Sequence, residues 1–470
     1  GVLTANLITV VFVLTSSHLV FLAFAASKSK SVSEVEIAKH AVRHTIHPSF
    51  WAMFTTALGF STYLFVDAKP LREFGISGAL ASLSAFLAAF MVMPIFLGRD
   101  SLSTAKRSSV FWNRSIRGRV GSAIALLLIV AAVLLFSGLL KLNTDPSLLS
   151  YFGKNSDLYK GLAYVDRHGG SSPLRLVLYD SSGRSYTDSD VFERAFALQR
   201  ALESRAEVGS VISLPLIMAE ANRAPLSKLL TWDWLLDAVG FAGYQEVVGR
   251  FLTADRRFGL FLLRMKELDR KISRGDILKR IESLARTHGF SIYRTGGVFA
   301  LQNQIGKLIY DSIVTSLLWS IPFFLLSAFV ISGSLIVALA VVITVATAPL
   351  ILLGFAGWLS IPLDLVSVPA ATLVTAFGVD AMLHLTHTHM QRRALTSTWL
   401  EDASYLRVPI LNSAAILGFG FSVLFLSNFP PSVRFGAFLV CGVIISSTAT
   451  LILLPRIMLV ARRQSRFFRS

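Results

Sequence analysis

The strongest constraint in this sequence is a series of long apolar runs, each close to the ~20 residues that a helix needs to cross a lipid bilayer. Nine can be delimited, at 2–25, 48–66, 74–97, 120–140, 309–331, 334–357, 365–387, 408–427 and 433–459. In hydrocarbon every backbone N–H and C=O must be satisfied within the protein, so such runs fold as helices. The 470-residue chain is 53% hydrophobic, and a soluble domain of that composition would lack polar residues for its surface. Several runs hold Gly and Pro, which membrane helices tolerate where neighbours re-satisfy the backbone. The chain opens with Gly1 inside an apolar run and shows no signal peptide, which gives the expectation that an N-terminal part is missing.

The charge follows the same plan. There are 45 Lys and Arg against 28 Asp and Glu, a net charge of +17. The basic residues fall in short segments between apolar runs: Lys28, Lys30, Lys39 and Arg43; Arg99 to Arg119; Arg392, Arg393 and Arg407; and Arg462 to Arg469. That is the positive-inside pattern, not the continuous basic footprint of a nucleic-acid-binding surface, so nucleic acid is excluded as a partner. Segments 26–47, 98–119, 389–407 and the C-terminal tail are therefore expected in the cytoplasm, with 28–47 as a surface helix joining two spans. The connections at 67–73, 358–364 and 428–432 then face outward. The same basic segments also suit contact with anionic membrane lipids.

One long polar block, about 142–308, is then also outside the membrane. Leu174–Tyr179 reads as a half-buried strand, followed by a helix capped near Asp188 or Asp190. Val208–Leu214 is a second strand, and 215–250 a helical insertion rich in Trp and Leu. Phe258–Met265, Arg274–His288 and Phe290–Arg294 then read as strand, helix and strand. The pattern is β-α-β twice over, as in a ferredoxin-like, split βαβ domain.

An internal repeat organises the membrane part. Gly59-Phe60-Ser61, Pro70, Phe74-Gly75 and Pro94 recur as Gly420-Phe421-Ser422, Pro431, Phe435-Gly436 and Pro455, each 361 residues on. The run 2–25 aligns with 365–387 at a shift of 363, which places Ser17 on Asp380 and Thr9 on Thr372. Repeats of like orientation are a transporter signature, with sites between them. Single Cys441 lies in an apolar run, so no disulfide framework or Cys-based metal site is expected. No GxxxxGK[ST] and no HExxH occurs, so no cofactor, metal or ATP chemistry is indicated, and the chain reads as a non-enzyme.

Further motifs carry a resemblance. They are Thr144-Asp145-Pro146 with Tyr151-Phe152, Gly169-Gly170-Ser171-Ser172-Pro173, Gly209–Pro215, His288-Gly289-Phe290 with Thr295-Gly296-Gly297, and Gly378-Val379-Asp380 with His384. Together with the paired Gly-Phe and Phe-Gly spans, they make the chain resemble the resistance–nodulation–division (RND) superfamily, in its MMPL-type and hydrophobe-exporter branch. The resemblance implies a polytopic α-helical membrane protein, with nine visible spans of a duplicated twelve-span bundle and an extracytoplasmic α+β porter domain. Its organisation would be 1–98, the last three spans of the first repeat; 99–119, a basic linker; 120–140, the first span of the second repeat; 141–308, the porter domain; 309–461, five further spans; and 462–470, a basic tail. It further implies export of lipids or other hydrophobic compounds driven by protons, a bacterial inner-membrane location, and a homo-oligomer of unstated size. A non-pumping sterol- or lipid-sensing protein of the same plan, or an inactive fragment, is the alternative.

Asp380 is the most informative residue, because an ionisable side chain within a span marks an ion pathway by default. The alternative is a carboxylate that reaches interfacial water. His384 lies one helical turn on and is either a relay member or a solvated histidine. By resemblance the span at 2–25 should carry an acid of its own, and here it has none. Ser16, Ser17 and His18 occupy that region, with Ser17 and His18 expected as cross-repeat hydrogen-bonding partners of Asp380. Thr55, Thr56, Asn412 and Ser413 are expected to flank the site, either bonding the carboxylate or packing helices together.

Overall fold

The structure is a computed structural model and describes residues 7–29, 33–66, 69–96, 118–221, 245–268, 270–392 and 397–467. It divides into two compact units, Asp145–Lys307 and the remainder, Gly1–Thr144 with Leu308–Ser470.

The larger unit is helical. Its first part comprises α1 (Leu7–Ser27), α2 (Glu34–Ser61), α3 (Lys69–Val92) and α4 (Arg119–Phe136). In the smaller unit, α5 (Asp157–Gly169) is followed by β1 (Ser172–Asp180), α6 (Ser189–Glu203), β2 (Val208–Ser213) and α7 (Leu214–Ala221). Then come α8 (Gln245–Phe251), β3 (Phe258–Met265), α9 (Arg274–Thr287) and β4 (Phe290–Gly296). Helix α10 (Val298–Ser332) is followed by α11 (Leu335–Trp358), α12 (Pro369–Arg392), α13 (Trp399–Ser422) and α14 (Pro430–Thr448). A π-turn at Ala449–Leu453 joins α14 to α15 (Leu454–Phe467).

Among the described residues, seven helical stretches are long and apolar enough to cross a membrane: α1, α3, α4, α10, α11, α13, and α14 continued into α15. The sequence reading expected two more spans, at 48–66 and 365–387. Both fall within helices, α2 and α12, that are less apolar than the seven. For α12 the reason is burial. Of the 24 residues of α12, 18 are buried, polar Thr372, Thr375, Asp380 and His384 among them. Only Gly121, Ala125 and Ala132 are buried among the 18 residues of α4, which exposes Leu126, Leu127, Val133 and Leu134. A helix wrapped by protein does not need a lipid-compatible surface, whereas one at the periphery needs it on nearly every side.

Two expected connections are also helical. Residues 34–47 are not a separate surface helix but the first half of α2, which continues through Pro48. Likewise α12 runs on to Arg392, and α13 begins at Trp399 with a capping box in which Thr398 and Glu401 satisfy each other's backbone N–H.

The repeat is visible in local geometry. Pro48 inside α2 and Pro409 inside α13 are 361 residues apart. Helix α2 ends in a 3-10 turn at Thr62–Phe65, and α13 in one at Val423–Leu426, at the same spacing. The Phe side chains of the motif, Phe60, Phe74, Phe421 and Phe435, share one buried cluster. The glycines let the next helix close on that turn. A Cβ on Gly75 would sit 2.7 Å from the Phe60 carbonyl oxygen, and one on Gly436 would sit 3.0 Å from that of Phe421.

In the smaller unit the strands are ordered β2-β3-β1-β4, and every pairing is antiparallel. That is the strand order of the split βαβ, ferredoxin-like arrangement. Leu174, Leu176 and Leu178 of β1 point into a core shared with Ala195 and Leu198 of α6 and Ile277 and Ile281 of α9. Residues 222–244, the bulk of the expected helical insertion, lie outside the described residues, and α7 and α8 flank them.

The motif residue Asp145 has a structural task here. Its carboxylate takes Arg270 at 2.7 Å and also Arg274, whose guanidinium is fully buried and pairs with Glu267 at 2.6 Å. Burial pushes the Glu267 carboxyl above its ordinary range against the pull of Arg274. At the far end of β1, burial opposes ionisation of Asp180, but hydrogen bonds from Ser182, Arg194 and Arg184 outweigh it and bring the carboxyl down to about 2.

Candidate functional site: a buried carboxylate between the repeats

Four helices of the larger unit bring polar side chains to one buried point. Asp380 projects from the middle of α12, where Gly378 lets α14 pack so closely that a Cβ would lie 3.1 Å from the Ser446 hydroxyl. Ser17 of α1 donates to Asp380 Oδ2 at 2.7 Å. Ser413 of α13 donates in turn to the Ser17 hydroxyl at 3.1 Å. His384 lies one turn along α12, with Nε2 3.5 Å from Asp380 Oδ1 and 3.3 Å from the Ser49 hydroxyl of α2. The Phe21 ring of α1 stacks flat on the imidazole, centroids 3.8 Å apart at 5°.

No Lys or Arg contacts this carboxylate among the described residues. At 3.5 Å the His384 approach is longer than a good hydrogen bond, and Oδ1 has no hydrogen-bond partner among the described residues. A small cavity opens beside it, lined by Ser17, Phe377, Asp380, Ser413, Ser446 and Ser447 among others. Its ≈ 10 Å³ is about the space one water molecule requires, and the surrounding hydroxyls supply the polar partners a buried water needs. An isolated carboxylate held among hydroxyls and an imidazole can take up and release a proton without breaking an ion pair. No group of three or more potential metal-ligating His, Cys, Asp or Glu occurs among the described residues.

The remaining expected site residues are placed elsewhere. His18 is buried but is not hydrogen-bonded to Asp380; its ring meets Phe86 edge-on and lies near Phe90, and its Nδ1 has no hydrogen-bond partner among the described residues. One residue along a helix is a rotation of ~100°, so Ser17 and His18 cannot both face α12. Ser16 bonds the Phe12 carbonyl and Thr55 the Ala52 carbonyl, each within its own helix. Thr56 is buried without a described bond to the carboxylate, and Asn412 is exposed on the outer side of α13.

Sequence reasoning did not single out Ser49, which meets His384, or Tyr63, whose hydroxyl pairs with Thr372 at 2.8 Å. Thr372 also reaches Ser316 of α10 at 3.3 Å, forming a second polar cluster on α12 two turns from Asp380. The alignment of Thr9 with Thr372 was the one signal that pointed there.

No family model and no curated protein matches this sequence. Solved structures do. The chain is similar to the hedgehog release protein Disp of the water bear Hypsibius dujardini, with TM-score 0.58 at 14% identity, over 96% of this chain and 62% of that one. It is similar to SecDF, a translocon-associated membrane protein of Thermus thermophilus, with TM-score 0.55 at 11% identity, over 97% of this chain and 54% of that one. SecDF in its super-membrane-facing form matches with TM-score 0.53 at 10% identity, over 98% of this chain and 56% of that one. This chain thus spans roughly three-fifths of the length of these structures. The chain shares the fold of these structures and is a polytopic helical membrane protein carrying a small antiparallel-sheet domain.

Proposed function

We propose that this protein is an RND-type secondary transporter in which proton movement through Asp380 drives the export of a lipid or other hydrophobic compound. The observation that carries the reading is the buried carboxylate of Asp380, without Lys or Arg beside it among the described residues, held by Ser17 from the opposite repeat and flanked by His384. An ionisable group so placed is costly in a membrane bundle and is by default part of an ion pathway. Similarity of fold to SecDF and Disp supports a transporter in general. The hydrophobic substrate class rests on the resemblance of the sequence motifs to MMPL-type exporters. The same resemblance and the basic segments support a bacterial inner-membrane location, with 141–308 outside and the C-terminus in the cytoplasm.

Reconstitution of the complete gene product in liposomes loaded with a pH-sensitive dye tests this. Wild type should dissipate an imposed proton gradient, and Asp380→Asn should slow it about a hundredfold at equal incorporation. Undiminished flux in Asp380→Asn would refute the proton role. One observation favours a second reading, a lipid-binding protein of this fold that does not pump: α1 offers Ser17 where an acid would complete a two-carboxylate relay. Proton-gradient-driven flux by the wild type excludes that reading.

A further inference from the structure

Histidines continue from Asp380 toward the end of the larger unit where α12 finishes and α2 begins. His384 is buried, and His387, three residues on, is half-buried on the same side of α12. The His387 ring faces that of His47 on α2, centroids 5.2 Å apart at 26°. His47 is exposed, as is His44 one turn earlier in α2, and the His44 ring lies 4.4 Å from that of His40. His40 and His44 line an open hollow of ≈ 1320 Å³ together with Glu34, Glu36, Lys39 and Arg43. Five imidazoles thus lead from a buried carboxylate to an open surface hollow, two on α12 followed by three on α2.

We propose that His384, His387, His47 and His44 form the proton path between Asp380 and solution. The inference rests on the proton-driven reading and names its route. Each imidazole accepts a proton on one ring nitrogen and releases one from the other, so a proton advances with no net change in the residue and no redox partner. The 3.5 Å approach of His384 to Asp380 and the facing rings of His387 and His47 suit transfer directly or through one water. Glu34 and Glu36 at the mouth offer carboxylates that attract protons, while Arg43 and Lys39, the latter paired with Glu36 at 3.3 Å, oppose their accumulation.

Several charged groups packed around this end are paired with groups outside the path, whereas buried Arg407 of α13 keeps a guanidinium nitrogen without a partner among the described residues. His389 and Arg392 both hold the buried Asp402, at 2.7 and 3.3 Å, and Lys28 lies over the rings of Phe24 and Tyr405. The His18 ring is turned onto Phe86 and Phe90.

The liposome assay separates this route from a packing role. His387→Gln and the exposed His47→Gln should each slow proton flux about tenfold, the double variant no less, and millimolar imidazole should restore flux in both. Asp380→Asn serves as the reference and should not respond to imidazole. Unchanged flux in the double variant, with Asp380→Asn inactive, overturns the path and leaves the role of Asp380 standing. Slowed flux that imidazole does not restore also overturns it, since a packing defect is not repaired by a diffusible base. Unchanged flux in Asp380→Asn overturns the underlying reading instead. His47→Gln keeps the test decisive where His387→Gln fails to fold, because His47 supports no core contact.

Discussion

Helices α1 and α12 occupy equivalent places in the two repeats, and the residue that aligns with Asp380 is also the one that touches it. Ser17 and Asp380 are 363 residues apart, the shift that superposes the two runs, and they share a 2.7 Å hydrogen bond. Equivalent positions meet only where a pseudo-symmetry axis passes between them, so the site lies on the axis of the repeat. Around that axis the scaffold is duplicated: Pro48 and Pro409, the two 3-10 turns, and the close approaches at Gly75 and Gly436 all correspond. The chemistry is not duplicated. Two carboxylates 3 Å apart could not both ionise, so a hydroxyl opposite the acid leaves one titrating group and no repulsion to manage. The two halves thus duplicate packing while dividing the polar work, with one half supplying the charge and the other its hydrogen bond.

The sharpest way to break this comparison is at the glycines. If packing is truly duplicated, Gly75→Leu and Gly436→Leu should destabilise to a similar degree, by about 3 kcal/mol each, because each side chain would be driven into the carbonyl of the preceding turn. Thermal melting in detergent measures it, and one variant melting like wild type would show that the halves differ in packing as well as chemistry. Next comes Ser17→Ala. Loss of a hydrogen bond to a buried charged group is worth about 2 kcal/mol, which corresponds to roughly thirtyfold in proton flux. Ser17→Thr, which keeps the hydroxyl, should recover most of that flux. An alanine variant as fast as wild type would leave Asp380 working without its partner from α1.

Apolarity made the peripheral helices legible because lipid imposes it on them. It was weakest for α2 and α12, two of the four helices that form the site, and α12 is the one that protein rather than lipid surrounds. Their helical state could be read, but the continuation of α2 through residues 34–47 could not, because polar exposed positions there look like a connecting segment. Strand order in the smaller unit followed from the β-α-β pattern taken twice. At the site, the repeat alignment pointed to Ser17 opposite Asp380. It could not separate Ser17 from His18, where one step of helix rotation decides which side chain faces α12. Asn412 and Ser413 pose the same problem, and the helix turns the hydroxyl inward and the amide out. Ser49 was beyond reach because its counterpart in the other repeat is Ile410, which carries no polar signal.

Ser413 offers the finest test of how far the division of labour extends. It belongs to α13, the second repeat, yet it donates to Ser17 of the first, so the chain of hydroxyls crosses the axis and returns. At 3.1 Å between two neutral groups, this bond is weaker than the one Ser17 makes to the carboxylate, and the cavity beside it leaves space for a water to substitute. Ser413→Ala should therefore cost about 0.5–1 kcal/mol, a few-fold in flux, since only a neutral bond is lost and Ser17 keeps its own. The bulkier, apolar Ser413→Val would also fill the cavity, and its flux should fall further than that of the alanine variant if a water takes part in transfer at Asp380. Equal flux in the two variants would show that the cavity is dry in function and that Ser17 alone carries the first repeat's contribution.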